Sequence, residues 1–300
     1  MRYVVGVDIG GTNIVVGTVP EDGSRVLGIR KERTLVREGP DAVVAQIARM
    51  VRDSLTLTGT ALGAEALDVA GVGIGAPGPL DTRNGIVLLT PNLGWRDFPL
   101  RDRVRDAVGL PAALDNDANC AIFGEWWRGA AAGADIVVGL TIGTGIGGGI
   151  VLDGEIFHGA SDIAGEIGHM TIDSTGRRCK CGNYGCLEAY ASGTAIAERA
   201  VEGMESGALS RLATYVDGDL SAITAQIVYD AAHDGDDYAL EVIHDTARFL
   251  GAGVANLINI FNPEIVVICG GVTAAGERLF KPLAAEVARR AFRPAVARCR

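Results

Sequence analysis

The sequence predicts an α/β protein built as two lobes, and three observations carry that expectation. The first is an internal repeat: Val4-Val5-Gly6-Val7-Asp8-Ile9-Gly10 aligns with Val137-Val138-Gly139-Leu140-Thr141-Ile142-Gly143, and five of these seven positions are identical. The second is the alternation of apolar β-like runs with helical stripes along the chain. The third is size: 300 residues, 48% of them hydrophobic, suffice for two lobes that each bury a core, and two lobes imply a cleft. The division is expected near residue 115, with a smaller lobe over 1–115 and a larger one over 116–300.

In each copy of the repeat an apolar run enters a Gly/Thr loop, Gly10-Gly11-Thr12-Asn13 or Gly143-Thr144-Gly145. A second β-run leaves it, Ile14 to Val19 or Gly149 to Leu152, and an Asp-Gly turn follows at Asp22-Gly23 or Asp153-Gly154. Between the copies, Val43, Val44, Ile47, Ala48, Met50, Val51 and Leu55 form one helical stripe. Val69 to Ile74 then reads as a buried strand ending in the turn-rich Gly75-Ala76-Pro77-Gly78-Pro79, at the strand end where open α/β sheets place ligands. A further apolar run from Leu110 stops at Asp115-Asn116-Asp117-Ala118-Asn119, ahead of a helical pattern containing Trp126 and Trp127. After the second copy come helical patterns over 194–203, 221–233 and 236–260, then a strand over 264–269 that runs into Gly270-Gly271.

The formal charge of -10, from 37 acidic and 27 basic residues, disfavours nucleic acid and anionic membrane as partners and favours a small solute. The residues before Asp8 hold no long apolar core, so no secretory signal is expected and the protein is placed in the cytoplasm. The most apolar stretch, 136–152, is interrupted by glycine and threonine, which is wrong for a membrane helix. Six cysteines are too few for a disulfide scaffold, yet three fall within residues 179–186.

Glycine loops let backbone N–H groups approach phosphate oxygens, and both copies offer one; tight hairpins are the plainer use of the same residues. No GxxxxGK[ST] occurs, so a P-loop is not supported. Gly143-x-Gly145-x-x-Gly148, followed by Glu166, matches the dinucleotide fingerprint, but residues 148–152 continue as strand and cannot present a helix N-terminus to a pyrophosphate. Asp8 ends a buried strand, where a carboxylate needs a cation or donors, and it is a candidate to orient Mg²⁺. His169 with Cys179, Cys181 and Cys186 makes a Cys₃His set in a glycine-rich loop, 169–186, with spacing that suits a closed, structural Zn²⁺ site. A histidine that ligates through one nitrogen offers the other to a substrate hydroxyl. Asn116 and Asp117 have the spacing of a helix cap as well as the polarity of a ligand-facing pair.

Together, Asp8-Ile9-Gly10-Gly11-Thr12-Asn13, Asn116-Asp117-Ala118-Asn119, the second glycine loop, Glu166-x-x-His169 and Cys-x-Cys-Gly-x-x-Gly-Cys-x-Glu resemble the ROK family of sugar kinases and sugar-responsive repressors, from about Tyr3 to Arg293. The resemblance implies an actin-like, ribonuclease-H-related fold with ATP bound in the cleft between the lobes. It implies Asp117 as the general base acting on a hexose 6-hydroxyl, with Gly75, Asn92, Asn116, Glu166, His169 and Glu188 around the sugar. For ATP it implies the set Asp8, Gly10, Gly11, Thr12, Asn13, Thr144, Gly145, Gly270 and Gly271. Asn92-Leu93-Gly94-Trp95, Gly124-Glu125-Trp126-Trp127 and residues 154–170 look most like those of glucokinases, with N-acetylmannosamine, fructose and mannose as the other substrates in view. The family's repressors carry an N-terminal DNA-reading domain for which the seven residues before Asp8 leave no room, and a plain ATPase of the same fold leaves the Cys₃His loop without a purpose. Relatives usually run on into a further strand, loop and closing helix, so a shortened C-terminus is expected, and a homodimer or homotetramer is implied by analogy.

Overall fold

A computed structural model describes all 300 residues. The chain divides into two compact units, Met1–Ala132 with His158–Ala164, and Gly133–Phe157 with Gly165–Arg300. The first unit therefore extends past the expected division at residue 115 and takes in the helix that follows, because that helix lies on the first unit's own sheet.

The first unit begins with β1 (Arg2–Ile9), β2 (Asn13–Pro20) and β3 (Leu27–Arg33), followed by α1 (Pro40–Leu62) and β4 (Asp68–Ala76). Next come β5 (Leu80–Asp81), β6 (Ile86–Thr90), β7 (Trp95–Phe98), α2 (Leu100–Val108), β8 (Ala112–Asn116) and α3 (Asp117–Arg128). The main sheet has the order β3-β2-β1-β4-β8. Hairpins join β1, β2 and β3 antiparallel, whereas β4 and β8 add in parallel. Period-two alternation buries Val5, Val7 and Ile9 of β1 on one face, where the α1 stripe of Val43, Val44, Ile47, Met50 and Val51 covers them. Each such side chain contributes about 1.5–3 kcal/mol by leaving water. Two polar groups in this layer pair with each other: the Thr18 and Ser54 hydroxyls lie 2.9 Å apart. The β5-β6-β7 sheet was not foreseen; its strands are short and lie in a stretch rich in Pro, Gly, Asn and Thr.

The second unit repeats the plan with β9 (Ile136–Ile142), β10 (Ile146–Leu152) and β11 (Glu155–Ile156). Helices α4 (Glu188–Ala191), α5 (Gly193–Glu205), α6 (Ala225–His233) and α7 (Asp237–Phe261) precede β12 (Ile265–Cys269), and α8 (Glu277–Arg290) and α9 (Arg293–Val296) close the chain. Its sheet order, β11-β10-β9-β12, matches β3-β2-β1-β4 strand for strand and direction for direction. The correspondence reaches single residues: Gly6 pairs with Gly17 across β1 and β2, and Gly139 with Gly149 across β9 and β10. Val138, Leu140 and Ile142 join Ile196, Leu250, Val254, Leu257 and Leu279 in one core. Asp236 caps α7 by accepting the Ala239 N–H, and Thr224 caps α6, which starts later than the expected 221 because residues 220–222 form a separate 3₁₀ turn. No helix is long and apolar enough to cross a membrane.

Candidate active site and metal centre

Strand ends of the first unit bring three of its acidic residues, Asp8, Asp115 and Asp117, close together. In the parallel register Asp8 lies opposite Gly75, and Gly75 opposite Asp115, so the three form one row across β1, β4 and β8. Asp117 opens α3 beside that row. Asp8, Gly75, Asp117 and Cys120 line a recess of about 530 Å³ together with Gly6, Gly17, Gly73 and the apolar Val15, Val19, Val26 and Ile29. Burial raises the Asp117 carboxyl above the usual aspartate range, against the lowering effect of the Ala118 N–H. Asp8 is raised as well, by burial first and then by the neighbouring Asp117 charge. The same burial and the charges of Asp115, Asp117 and Asp8 push the Cys120 thiol up to about 12.

Asn116 is the N-cap of α3: its Oδ1 accepts the N–H groups of Ala118 at 2.9 Å and Asn119 at 3.2 Å. The cap uses the oxygen and leaves the amide nitrogen for another partner. Asp117 Oδ1 accepts the Ala118 N–H at 2.8 Å, so its second oxygen remains available. The first glycine loop is held by the Gly10 N–H donating to Asn13 O at 2.9 Å and the Thr34 hydroxyl donating to Gly10 O at 2.7 Å. A methyl at Gly11 would sit 3.2 Å from Asn92 Cβ, which puts Asn92 against this loop. Asp8, Gly10, Gly11, Thr12, Asn13, Gly75, Asn92, Asn116 and Asp117 thus all belong to the strand ends and loops of the first unit.

In the second unit the Gly143-Thr144-Gly145 loop docks on the start of α5. The Gly193 N–H donates to Gly143 O at 2.8 Å, and the Thr194 hydroxyl donates to Thr144 O at 2.8 Å. Gly143, Thr144 and Gly271 share a recess of about 420 Å³ with Gly193, Thr194, Thr224 and Gln226. Gly270 makes the turn behind it with φ +96°, and a Cβ there would lie 2.4 Å from Ile142 O, so only glycine fits. Gly145 turns instead toward Glu188, whose Oε2 accepts the neighbouring Ile146 N–H at 2.8 Å. Gly193, Thr194, Thr224 and Gln226 share this recess with Thr144 and Gly271 and were not among the residues the resemblance implied. Their sequence signal was the pair of N-cap patterns, Ser192-Gly193-Thr194 and Thr224-Ala225-Gln226, which look like ordinary helix starts.

The Cys₃His set comes together. The ligand atoms of His169, Cys179, Cys181 and Cys186 all lie within 4.8 Å of one another, with Cys181 and Cys186 sulfurs 3.7 Å apart and Cys179 Sγ 3.8 Å from His169 Nδ1. Thiolates at about 2.3 Å from a tetrahedral ion stand about 3.8 Å from each other, so the spacing fits a metal and is far too long for a disulfide. The knuckle is closed by the Cys179 N–H donating to Asn183 O at 2.8 Å and by Gly185, at φ +70°, which approaches Asp173 O too closely for any side chain. Tyr190 ties the loop down, donating to Asp173 and accepting the Arg177 N–H. With Nδ1 turned to the thiols, His169 Nε2 faces Glu166 Oε2 at 3.9 Å, too far for a direct bond and open to a third group.

Two related sheets, each feeding a glycine loop at matching strand ends, define the actin-like ATPase fold. The chain belongs to the ROK family, whose model matches residues 4–299. It is similar to the glucokinase of Halalkalibacterium halodurans, with 42% identity over 94% of this chain and 84% of that protein. Among solved structures it is similar to a ROK family glucokinase from Streptomyces griseus in complex with glucose and AMPPNP, with TM-score 0.80, 36% identity and coverage of 96% of this chain and 89% of that one. It is also similar to a ROK family transcriptional regulator, a homologue of the E. coli MLC protein, with TM-score 0.85, 31% identity and coverage of 100% of this chain and 73% of that one.

Proposed function

We propose that the protein is an ATP-dependent hexose kinase that transfers the γ-phosphoryl group of ATP to the 6-hydroxyl of glucose. The observation that carries the proposal is the Asp117 carboxylate, enclosed at a strand end beside Asp8, with one oxygen fixed by α3 and the other unpaired. The similarity to glucokinases along nearly the whole chain supports glucose as acceptor. In this reading Asp117 takes the hydroxyl proton while the sugar oxygen bonds to the γ-phosphorus, and the bond from that phosphorus to the bridging oxygen breaks to release ADP. Gly75, Asn92, Asn116, Glu166, His169 and Glu188 hold the remaining hydroxyls. A sugar of the wrong pattern leaves such polar groups unpaired, which is how the site discriminates. The backbone N–H groups of Gly10, Gly11, Thr12, Asn13, Thr144, Gly145, Gly270 and Gly271 serve the phosphates.

Two acidic side chains raised by burial in one recess suit a cation, and Asp8 would hold magnesium, which when bound supplies positive charge against the phosphates. His169, Cys179, Cys181 and Cys186 would hold zinc with no coordination position left open, so the ion supplies rigidity alone. The likeness to a transcriptional regulator supports a second reading, a sugar sensor without turnover. Coupled ADP release across glucose, mannose, fructose and N-acetylmannosamine separates the two. The kinase reading expects release only with sugar present and fastest with glucose; sugar binding with no ADP release on any of them establishes the sensor, and sugar-independent release a plain ATPase.

A further inference from the structure

Residues 158–164 leave the second unit's run of chain and belong by contact to the first, while Phe157 and Gly165 on either side belong to the second. The segment is a closed turn, with the Ala164 N–H donating to His158 O at 3.1 Å. Two polar anchors hold it. Asp162 Oδ2 accepts the Thr82 N–H at 2.9 Å and the Thr82 hydroxyl at 3.1 Å, and His158 Nε2 donates to Asp115 Oδ2 at 2.8 Å. The second anchor lands on the residue that frames the proposed base. Asp115 Oδ1 accepts the Asn116 N–H at 2.7 Å and Asn119 Nδ2 at 3.0 Å, and Asn116 in turn caps α3, whose first residue is Asp117.

We infer that His158 is a positioning residue for Asp117, acting through the Asp115 carboxylate. A carboxylate with both oxygens engaged is fixed in rotation; with only Oδ1 bound it is held less firmly, and the strand-to-helix turn it braces loosens with it. Base catalysis requires the accepting oxygen within hydrogen-bond reach of the hydroxyl, so a loosened turn lowers the rate of the chemical step more than it lowers sugar affinity. The side chains of His158 and Asp115 are 31% and 21% exposed, so the bond is partly shielded from water and is stronger than a surface contact.

The inference rests on the kinase reading, and the test separates the two. Three variants are measured beside the wild type for kcat, glucose KM and melting temperature. His158→Phe keeps a ring of similar size and removes the donor; kcat is expected to fall about tenfold or more, with KM within about twofold. His158→Gln restores a neutral N–H donor of similar reach and recovers most of that loss. Asp162→Ala frees the other anchor of the same segment and controls for docking as such, lowering the melting temperature with kcat within about twofold. An active wild type whose His158→Phe variant keeps its kcat overturns this inference alone, as does equal loss in Asp162→Ala or no recovery in His158→Gln. A wild type that turns over no sugar overturns the kinase reading and this inference with it.

Discussion

Asn116 and Asp117 each use one side-chain oxygen to close the start of α3 and keep a second polar atom without a bond. The Asn116 oxygen and one Asp117 oxygen satisfy the free N–H groups at the start of α3, while the Asn116 amide nitrogen and the other Asp117 oxygen stay unpaired. The sequence alone left cap and ligand readings open because both need the same residue types at the same spacing, and the structure shows the cap to be real. What the sequence did not carry is the environment: Asp8, which shares the Asp117 recess, lies more than a hundred positions away. The environment has a consequence for stability. Burial raises the folded carboxyl of Asp117 above 3.8, the ordinary aspartate value. At neutral pH the native state therefore holds an ionised group at a cost; as pH falls below the raised value the group takes up a proton and the cost shrinks, vanishing only below 3.8. Asp117→Asn is expected to raise the melting temperature of the ligand-free protein at pH 7, with the gain shrinking as pH falls through the raised value toward 3.8; scanning calorimetry across that range checks it.

The metal loop was the most legible element, because Cys-x-Cys-x-x-x-x-Cys fixes ligand spacing locally and only His169 had to be recruited from outside it. With zinc held in this loop as proposed, Cys181→Ser is expected to abolish zinc uptake and speed amide exchange over residues 170–186, leaving exchange in β1 and α1 unchanged, as metal analysis and hydrogen exchange report. The α1 stripe was equally plain at a period of 3.6, and Ile47, fully buried beneath the sheet, tests it: Ile47→Ala is expected to cost about 2–5 kcal/mol in denaturant unfolding. Elements that depend on distant partners were not legible. The β5-β6-β7 sheet consists of strands too short for a period to show, and residues 158–164 look like a surface loop until His158 is seen to reach Asp115. Their sequence is adjacent to the second unit, but their hydrogen bonds are made in the first.

Across the molecule, the internal repeat foretold the matching sheet orders because the identical residues occupy identical sheet positions, down to the paired glycines Gly6–Gly17 and Gly139–Gly149. The expected division at residue 115 differed from the contact boundary because a β-strand end and a loop are alike in sequence, whereas which sheet a helix covers is decided by packing. In the proposed reaction a carboxylate at position 117 accepts the proton of a sugar hydroxyl. Turnover of Asp117→Asn with glucose and ATP, measured alongside glucose binding in the same preparation, tests it most directly. A loss of about 10²–10⁴ in kcat with glucose affinity within a fewfold of wild type is expected; a variant that binds glucose and keeps near-normal kcat overturns that role.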